Sequence, residues 1–221
     1  MKYNEVIPAK FIERKNRFVS VVDINGISEI VHVKNTGRLA ELLKPEAEVY
    51  LTKADNPDRK TKYDLVAVRK DNGVLFNIDS QAANKVTYEW LQKQKLEVIK
   101  PEYTYGKSRI DLYFEKDGNK TLMEIKGCTL EVDGKGYFPD APTTRGVKHI
   151  YELINAKQEG YNAVLGFVIQ MDGVTEVLPN ALTDPDFEKA FYEAKNKGVE
   201  IWDLCCHVEE DSLNVASVIK T

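Results

Sequence analysis

Two stretches, Ser108-Arg-Ile-Asp-Leu-Tyr-Phe114 and Thr121-Leu-Met-Glu-Ile-Lys126, are joined across Lys116-Asp-Gly-Asn119. Side chains alternate between the two faces of a strand. Ile110, Leu112 and Phe114 therefore share the face opposite Asp111, and Met123 and Ile125 turn to a core. Glu124 and Lys126 point the other way, together with Leu122. The connection is short, so the strands are expected to be antiparallel neighbours that bring Asp111 beside Glu124 and Lys126.

Two adjacent carboxylates repel, and a divalent cation relieves the repulsion. Magnesium favours one or two carboxylates together with waters and phosphate oxygens. A lysine two residues from the second carboxylate can orient or deprotonate a metal-bound water, which suits phosphodiester hydrolysis. Taken alone, an Asp followed by Glu-x-Lys is a weak signal, and a structural salt bridge or solvated charges is the plain alternative.

Upstream, residues 1–80 read as short strands. Phe18–Ile24 and Ile27–Val33 flank Asn25-Gly26, a strong hairpin signal, and Val49–Thr52 is a third apolar run. Leu65–Val68 and Val74–Ile78 flank Asp71-Asn-Gly73. Leu39, Leu42 and Leu43 at helical spacing predict one short helix. Five strands and a small helix suit a small β-barrel, with the OB-fold as one candidate. Asp79 and Ser80 are N-cap residues for a helix to about Gln94, and the domain boundary is placed there, giving domains 1–79 and 80–221. Downstream, a helix is expected over about Val147–Lys157, closed by Gly160, then a buried strand over Asn162–Gln170. A helix opened by Asp184-Pro185 and closed by Gly198 precedes a last strand, Val199–Cys206. Strands alternating with helices predict an α/β second domain.

The 221 residues are 43% apolar and 30% charged, as in a globular protein, with no apolar run of membrane-spanning length. No secretory signal is read near Lys2 and Glu5. The three cysteines, Cys128, Cys205 and Cys206, form no CxxC, so neither a disulfide framework nor a zinc site is expected, and a reducing cytoplasm fits best. A net charge of −4 argues mildly against a generic nucleic-acid binder. Yet residues 1–80 carry 14 Lys+Arg against 12 Asp+Glu, so the acidic excess lies wholly in the remainder.

Tyr105-Gly-Lys-Ser-Arg-Ile-Asp111, Met123-Glu-Ile-Lys-Gly-Cys-Thr-Leu130 and Gly136-Tyr-Phe-Pro-Asp-Ala-Pro-Thr-Thr-Arg-Gly-Val-Lys-His149 resemble the sugar fermentation stimulation protein family, SfsA. Arg14-Lys-Asn-Arg-Phe18, Asn35-Thr-Gly37 and Ala83-Asn84 are similar to it too. The resemblance implies an N-terminal OB-like barrel and a C-terminal α/β domain of the PD-(D/E)xK nuclease fold with a mixed sheet. It implies DNA binding and nuclease activity, which with the acidic pair reads as a Mg2+- or Mn2+-dependent nuclease of DNA, the choice between DNA and RNA being left open. The alternative it carries is a non-catalytic DNA-binding regulator of maltose metabolism. Asp111 matches the first metal carboxylate, Glu124 the second and Lys126 the lysine, while Ile110 stands where such motifs often have proline. The Ile125 carbonyl is expected to assist the metal, and Glu89 resembles the accessory glutamate of the first helix, with a surface charge as its alternative.

Around this set, Tyr137 and Phe138 either stack on a base or plug the core. Thr143, Thr144 and Arg145 precede a helix N-terminus, a phosphate site or simple capping. Arg145 is taken as a phosphate contact, and His149 as a proton donor or phosphate ligand, against a structural histidine. In the barrel, Arg14, Lys15 and Arg17 form the preferred DNA-contacting cluster. A second cluster, Lys53, Arg59, Lys60 and Lys62, surrounds Asn56-Pro57 and is diluted by Asp55 and Asp58. Asn35, Thr36, Gly37 and Arg38 read as a turn with a ligand role open to it.

Overall fold

The computed structural model describes every residue except Asp55 and Pro57, so that part of the second basic cluster lies outside the described residues. The chain begins with strands β1 (Val6–Asn16), β2 (Val19–Ile24), β3 (Ile27–Val33), β4 (Glu48–Lys53), β5 (Tyr63–Arg69) and β6 (Leu75–Asn77). The first five close into a barrel: their order is β3-β2-β1-β4-β5, and a parallel pairing of β3 with β5 shuts the ring. β1 is the long strand that makes closure possible. Its first half pairs with β4 and its second half with β2, with register shifts at Phe11/Glu13 and Arg14/Asn16 that bend it around the corner. Phe11, Val22, Val31, Val33, Val49, Leu51 and Leu65 fill the interior.

The helix expected at Leu39, Leu42 and Leu43 is a single turn. Leu42 and Leu43 donate backbone hydrogen bonds to the Leu39 carbonyl and the turn goes no further, with Leu39 at a φ of 51°. The three leucines are buried because they plug the barrel, which yields the same spacing as a helix face. β1 shows no clean alternation, because Pro8 and the charges of its second half interrupt it.

The rest of the chain is an α/β layer structure. It comprises α1 (Ser80–Gln92), β7 (Val98–Tyr105), β8 (Ser108–Lys116), β9 (Asn119–Cys128), β10 (Leu130–Val132), β11 (Lys135–Phe138) and α2 (Thr144–Gln158). After these come β12 (Asn162–Ile169), β13 (Val177–Pro179), α3 (Pro185–Asn196), β14 (Glu200–Glu209) and β15 (Ser212–Lys220). The main sheet runs β15-β14-β12-β9-β8-β7. β9, β12 and β14 are mutually parallel and the outer pairs antiparallel, so the sheet is mixed. α2 and α3 pack against each other as the crossovers between the parallel strands. α1 lies in the other core cluster, where Ala82, Ala83, Val86 and Leu91 meet Leu112, Met123, Ile125, Val164 and Leu204.

Each helix starts where its cap requires. The Asp79 carboxylate accepts from Gln81 N–H, Thr143 Oγ1 from Gly146 N–H and Asp184 from Phe187 N–H, with Pro185 in the first turn of α3. The two halves are fastened through Gln170, 1% exposed, whose amide donates to the Asn77 side chain and to the Asn77 and Asp79 carbonyls.

Candidate metal centre

The β8–β9 ladder stops at the pair Leu112 and Met123, one residue short of Asp111 and Glu124. There Asp111 turns its carboxylate into the gap. Oδ2 accepts the Ile125 N–H at 2.8 Å, and Oδ1 accepts the Asn84 side-chain amide of α1 at 2.9 Å. The regular alternation expected along β8 breaks at this point: Leu112 and Phe114 join the α1-side cluster, whereas Ile110 joins the cluster containing Ile150 and Leu153 of α2. N–H and C=O of one extended residue leave on the same edge, so the Ile125 carbonyl also faces the opened gap.

Glu124 is 1% exposed. Its Oε1 accepts Lys126 Nζ at 2.6 Å and contacts His149 Nδ1 of α2, while its Oε2 is buried with no partner. Burial alone would raise the Glu124 carboxyl, but His149 and Lys126 outweigh it and hold the group below its ordinary value. Asp111 goes the other way. Burial, and then the neighbouring Glu124 charge, push it up against its own hydrogen bonds.

These groups line a cleft of about 370 Å³ between the barrel and the α/β layers. The barrel supplies Asn35, Thr36 and Gly37. The α/β part supplies Asn84, Thr129, Tyr137, Asp140, Thr143, Arg145 and Gln170 beside the acidic pair and Lys126. Close approach fixes two glycines. A Cβ on Gly37 would lie 2.2 Å from Asp140 Oδ2, and one on Gly127 would lie 2.2 Å from Gln170 Oε1. Asp140 also accepts the Arg38 N–H at 3.0 Å, which ties the barrel loop to the far wall. Burial raises the Asp140 carboxyl.

Several expectations are corrected. Glu89 is not on the cleft. It pairs with the Met1 ammonium at 2.8 Å, and the α1 residue that meets Asp111 is Asn84. Five residues at about 100° each carry Glu89 well round the helix from Asn84. Thr143, rather than Thr144, lines the cavity, as the N-cap of α2. Both aromatics border the cleft, but the Phe138 ring packs on Phe167 and Phe187 in the core. Arg14 is no free phosphate contact: Nη1 donates to the Gly37 and Arg38 carbonyls and Nη2 to those of Arg17 and Asn35. Its guanidinium ties down the loop that carries the barrel's share of the cleft. Lys15 and Arg17 remain exposed beside it. Arg145 is exposed at the rim, its Nε 3.4 Å from His149 Nε2. Lys148 turns away to Ser108 and Glu152. In the second cluster Arg59 is committed to Asp64.

Sequence reasoning missed Asn84 as a ligand of Asp111, Asp140 and Gln170. All three lie in or near quoted motifs, but their partners come from distant segments. No group of three or more His, Cys, Asp or Glu side chains is gathered for a metal among the described residues. What is present is an acidic pair with a backbone carbonyl beside it.

Residues 12–78 match the model of the SfsA N-terminal OB domain, and residues 81–212 match that of the sugar fermentation stimulation protein RE domain. The sugar fermentation stimulation protein homolog of Clostridium beijerinckii is 48% identical over 99% of this chain and 98% of its own length. That of Desulfitobacterium hafniense strain Y51 is 48% identical over 99% and 97%. The solved structure of Pyrococcus furiosus SfsA in complex with Ca2+ superposes with a TM-score of 0.84 at 30% identity, covering 100% of this chain and 95% of that one. An OB barrel followed by a mixed-sheet α/β domain, matched by both domain models and by near full-length relatives, makes this chain a member of the sugar fermentation stimulation protein (SfsA) family.

Proposed function

We propose that the cleft binds a divalent cation, Mg2+ or Mn2+, and hydrolyses phosphodiester bonds of DNA, with RNA as a second substrate, in a domain of the PD-(D/E)xK nuclease type. One observation carries the reading: Glu124 Oε2 is buried without a partner in the same cleft as Asp111, whose carboxyl burial and its neighbour hold in the less acidic range. Such a pair is unfavourable without a cation and well matched to one. Asp111, Glu124 Oε2 and the Ile125 carbonyl would hold it. The ion in the Pyrococcus furiosus relative is of the same hard, oxygen-seeking kind.

When bound, a divalent ion lowers the pKa of water and neutralises charge developing on a phosphate. The rest falls to this chain's residues. Lys126, held as an ammonium against Glu124 Oε1, would orient the attacking water by donating a hydrogen bond to it. Arg145 at the rim and the capped start of α2 steady the phosphate. His149 fixes Glu124 from the α2 side, a positioning role rather than proton donation, since its Nδ1 is engaged there and its Nε2 accepts from Arg145 Nε. Asn84 likewise fixes Asp111.

The test is cleavage of single- and double-stranded DNA and RNA with Mg2+, Mn2+ or EDTA, comparing the wild type with Lys126→Ala and Glu124→Gln. Metal-dependent cleavage lost in both folded variants is expected. Unchanged cleavage by Lys126→Ala removes the mechanism. DNA retardation that persists in EDTA, with no loss of substrate in Mg2+, decides for a binding regulator instead.

A further inference from the structure

Phe18 is 50% exposed at the turn between β1 and β2. A single exposed phenyl ring is ordinary, but this one is held in place. It stacks on His32 with centroids 6.3 Å apart and planes 20° from parallel. The Phe18 carbonyl accepts the Val33 N–H at 2.9 Å and lies 3.0 Å from His32 Nδ1. Two residues back along β3, on the same outer face, Ile30 is 48% exposed opposite Val21. Arg17 precedes Phe18 in the chain and Lys15 stands two residues further back, both exposed, with Lys15 4.0 Å from Glu13.

This platform is tied to one wall of the cleft. Arg14 Nη2 holds the Arg17 carbonyl at 2.8 Å and the Asn35 carbonyl at 2.7 Å, so the turn bearing Phe18 is bolted to the loop that lines the cavity. His32 is three residues from Asn35, at most about 10 Å along the chain. A flat aromatic pair flanked by cations suits a nucleobase on its face and phosphates at its edge. In a duplex the base faces are already covered by their neighbours, so the geometry selects an unpaired strand.

We propose that Phe18 and His32 form a base-stacking subsite for single-stranded nucleic acid, on the strand whose phosphate enters the Asp111/Glu124 cleft. The proposal rests on the nuclease reading for its ligand class, and the experiment separates the two. Anisotropy of a labelled oligothymidylate is measured with the full chain in Ca2+, against an abasic strand of equal length and a duplex. The wild type should prefer oligothymidylate. Phe18→Ala should weaken that binding roughly 5- to 100-fold without changing abasic-strand binding, and Phe18→Trp should restore it. The subsite is overturned if Phe18→Ala binds oligothymidylate as tightly as the wild type, loses equally on the abasic strand, or if the wild type prefers duplex. A change in the protein's own sedimentation on Phe18→Ala overturns it too, by giving the patch to a second copy. Hydrolysis of bis(p-nitrophenyl) phosphate in Mn2+ reports on the cleft separately. If it persists while stacking fails, only the subsite falls; if it is absent while the Phe18-dependent preference holds, the hydrolase reading falls and the subsite stands.

Discussion

Replacing Asp111 by asparagine should make the metal-free protein more stable and the metal-treated protein less so. The substitution preserves shape: the new side-chain carbonyl oxygen can still accept the Ile125 N–H, and the Asn84 amide can flip to present its oxygen to the new NH2 group. It removes a charge that burial and Glu124 both disfavour. Because the folded-state pKa of Asp111 is raised, the charge costs stability above the unfolded pKa of about 3.9, and the cost fades as pH falls through the folded value. The gain from Asp111→Asn is therefore present at neutral pH and vanishes in acid. Each pH unit between folded and unfolded values is about 1.4 kcal/mol, and for a chain of this size 1 kcal/mol moves Tm by roughly 2–4 °C. A rise of a few degrees in EDTA is expected at pH 7. For the wild type, a cation at about 100 times its Kd adds about 2.7 kcal/mol, or roughly 5–10 °C, and Asp111→Asn should abolish that increment. Thermal melts in EDTA, Mg2+ and Mn2+ at neutral and acid pH read both effects. A variant less stable than wild type in EDTA, or one with an undiminished metal increment, would show that Asp111 is a structural acceptor and sink the argument.

Glu89→Gln should leave the metal-induced rise in Tm unchanged, because Glu89 serves the Met1 ammonium and not the cleft. A lost increment would return it to the ligand set. Arg14→Ala should cost about 3 kcal/mol, since four carbonyls lose a charged donor, and proteolysis should then cut first within residues 34–38. Equal protection of that loop in both proteins would refute the assignment. Gly127→Ala should cost about 1–3 kcal/mol. The clashing Gln170 Oε1 cannot swing away without breaking the amide's bonds to Asn77 and Asp79, so chemical denaturation should expose a weakened junction between the two halves. A neutral Gly127→Ala would show that the clamp yields.

The fold was legible where local chemistry and tertiary packing agree. Asn25-Gly26 takes positive φ at both residues, and Asp79, Thr143 and Asp184 cap their helices through their own side chains. It was illegible where long-range pairing decides. β1 is a strand because β4 and β2 flank it, not because Val6–Asn16 alternates cleanly. Leu39, Leu42 and Leu43 have helical spacing but only the space for one turn, because Glu46 and Ala47 already bond back to Phe11. β7 and β15 are illegible for a related reason: both are edge strands, so one ladder and half a core leave only a partial pattern.

For the candidate site the division is sharper, and it follows what each residue needs from the rest of the chain. Asp111, Glu124 and Lys126 sit on two strands joined by a four-residue reversal, so alternation and a short turn suffice to juxtapose them. The basic residues needed more. Arg14 and Arg17 look equivalent in sequence, and only the approach of the 35–38 loop, some twenty residues on, turns the first into a strut while the second stays in solvent. Glu89 fails for the converse reason, since helical phase places Asn84 on the cleft and leaves Glu89 to the amino terminus. A buried carboxylate pair gains its meaning locally, from the cost of two close charges, whereas an exposed cation gains its meaning from whichever carbonyl or phosphate reaches it first. The barrel's part in the cleft is therefore set by long-range contact: Arg14 holds the 35–38 loop, whose Arg38 N–H bonds Asp140, and that strut makes one wall from two domains.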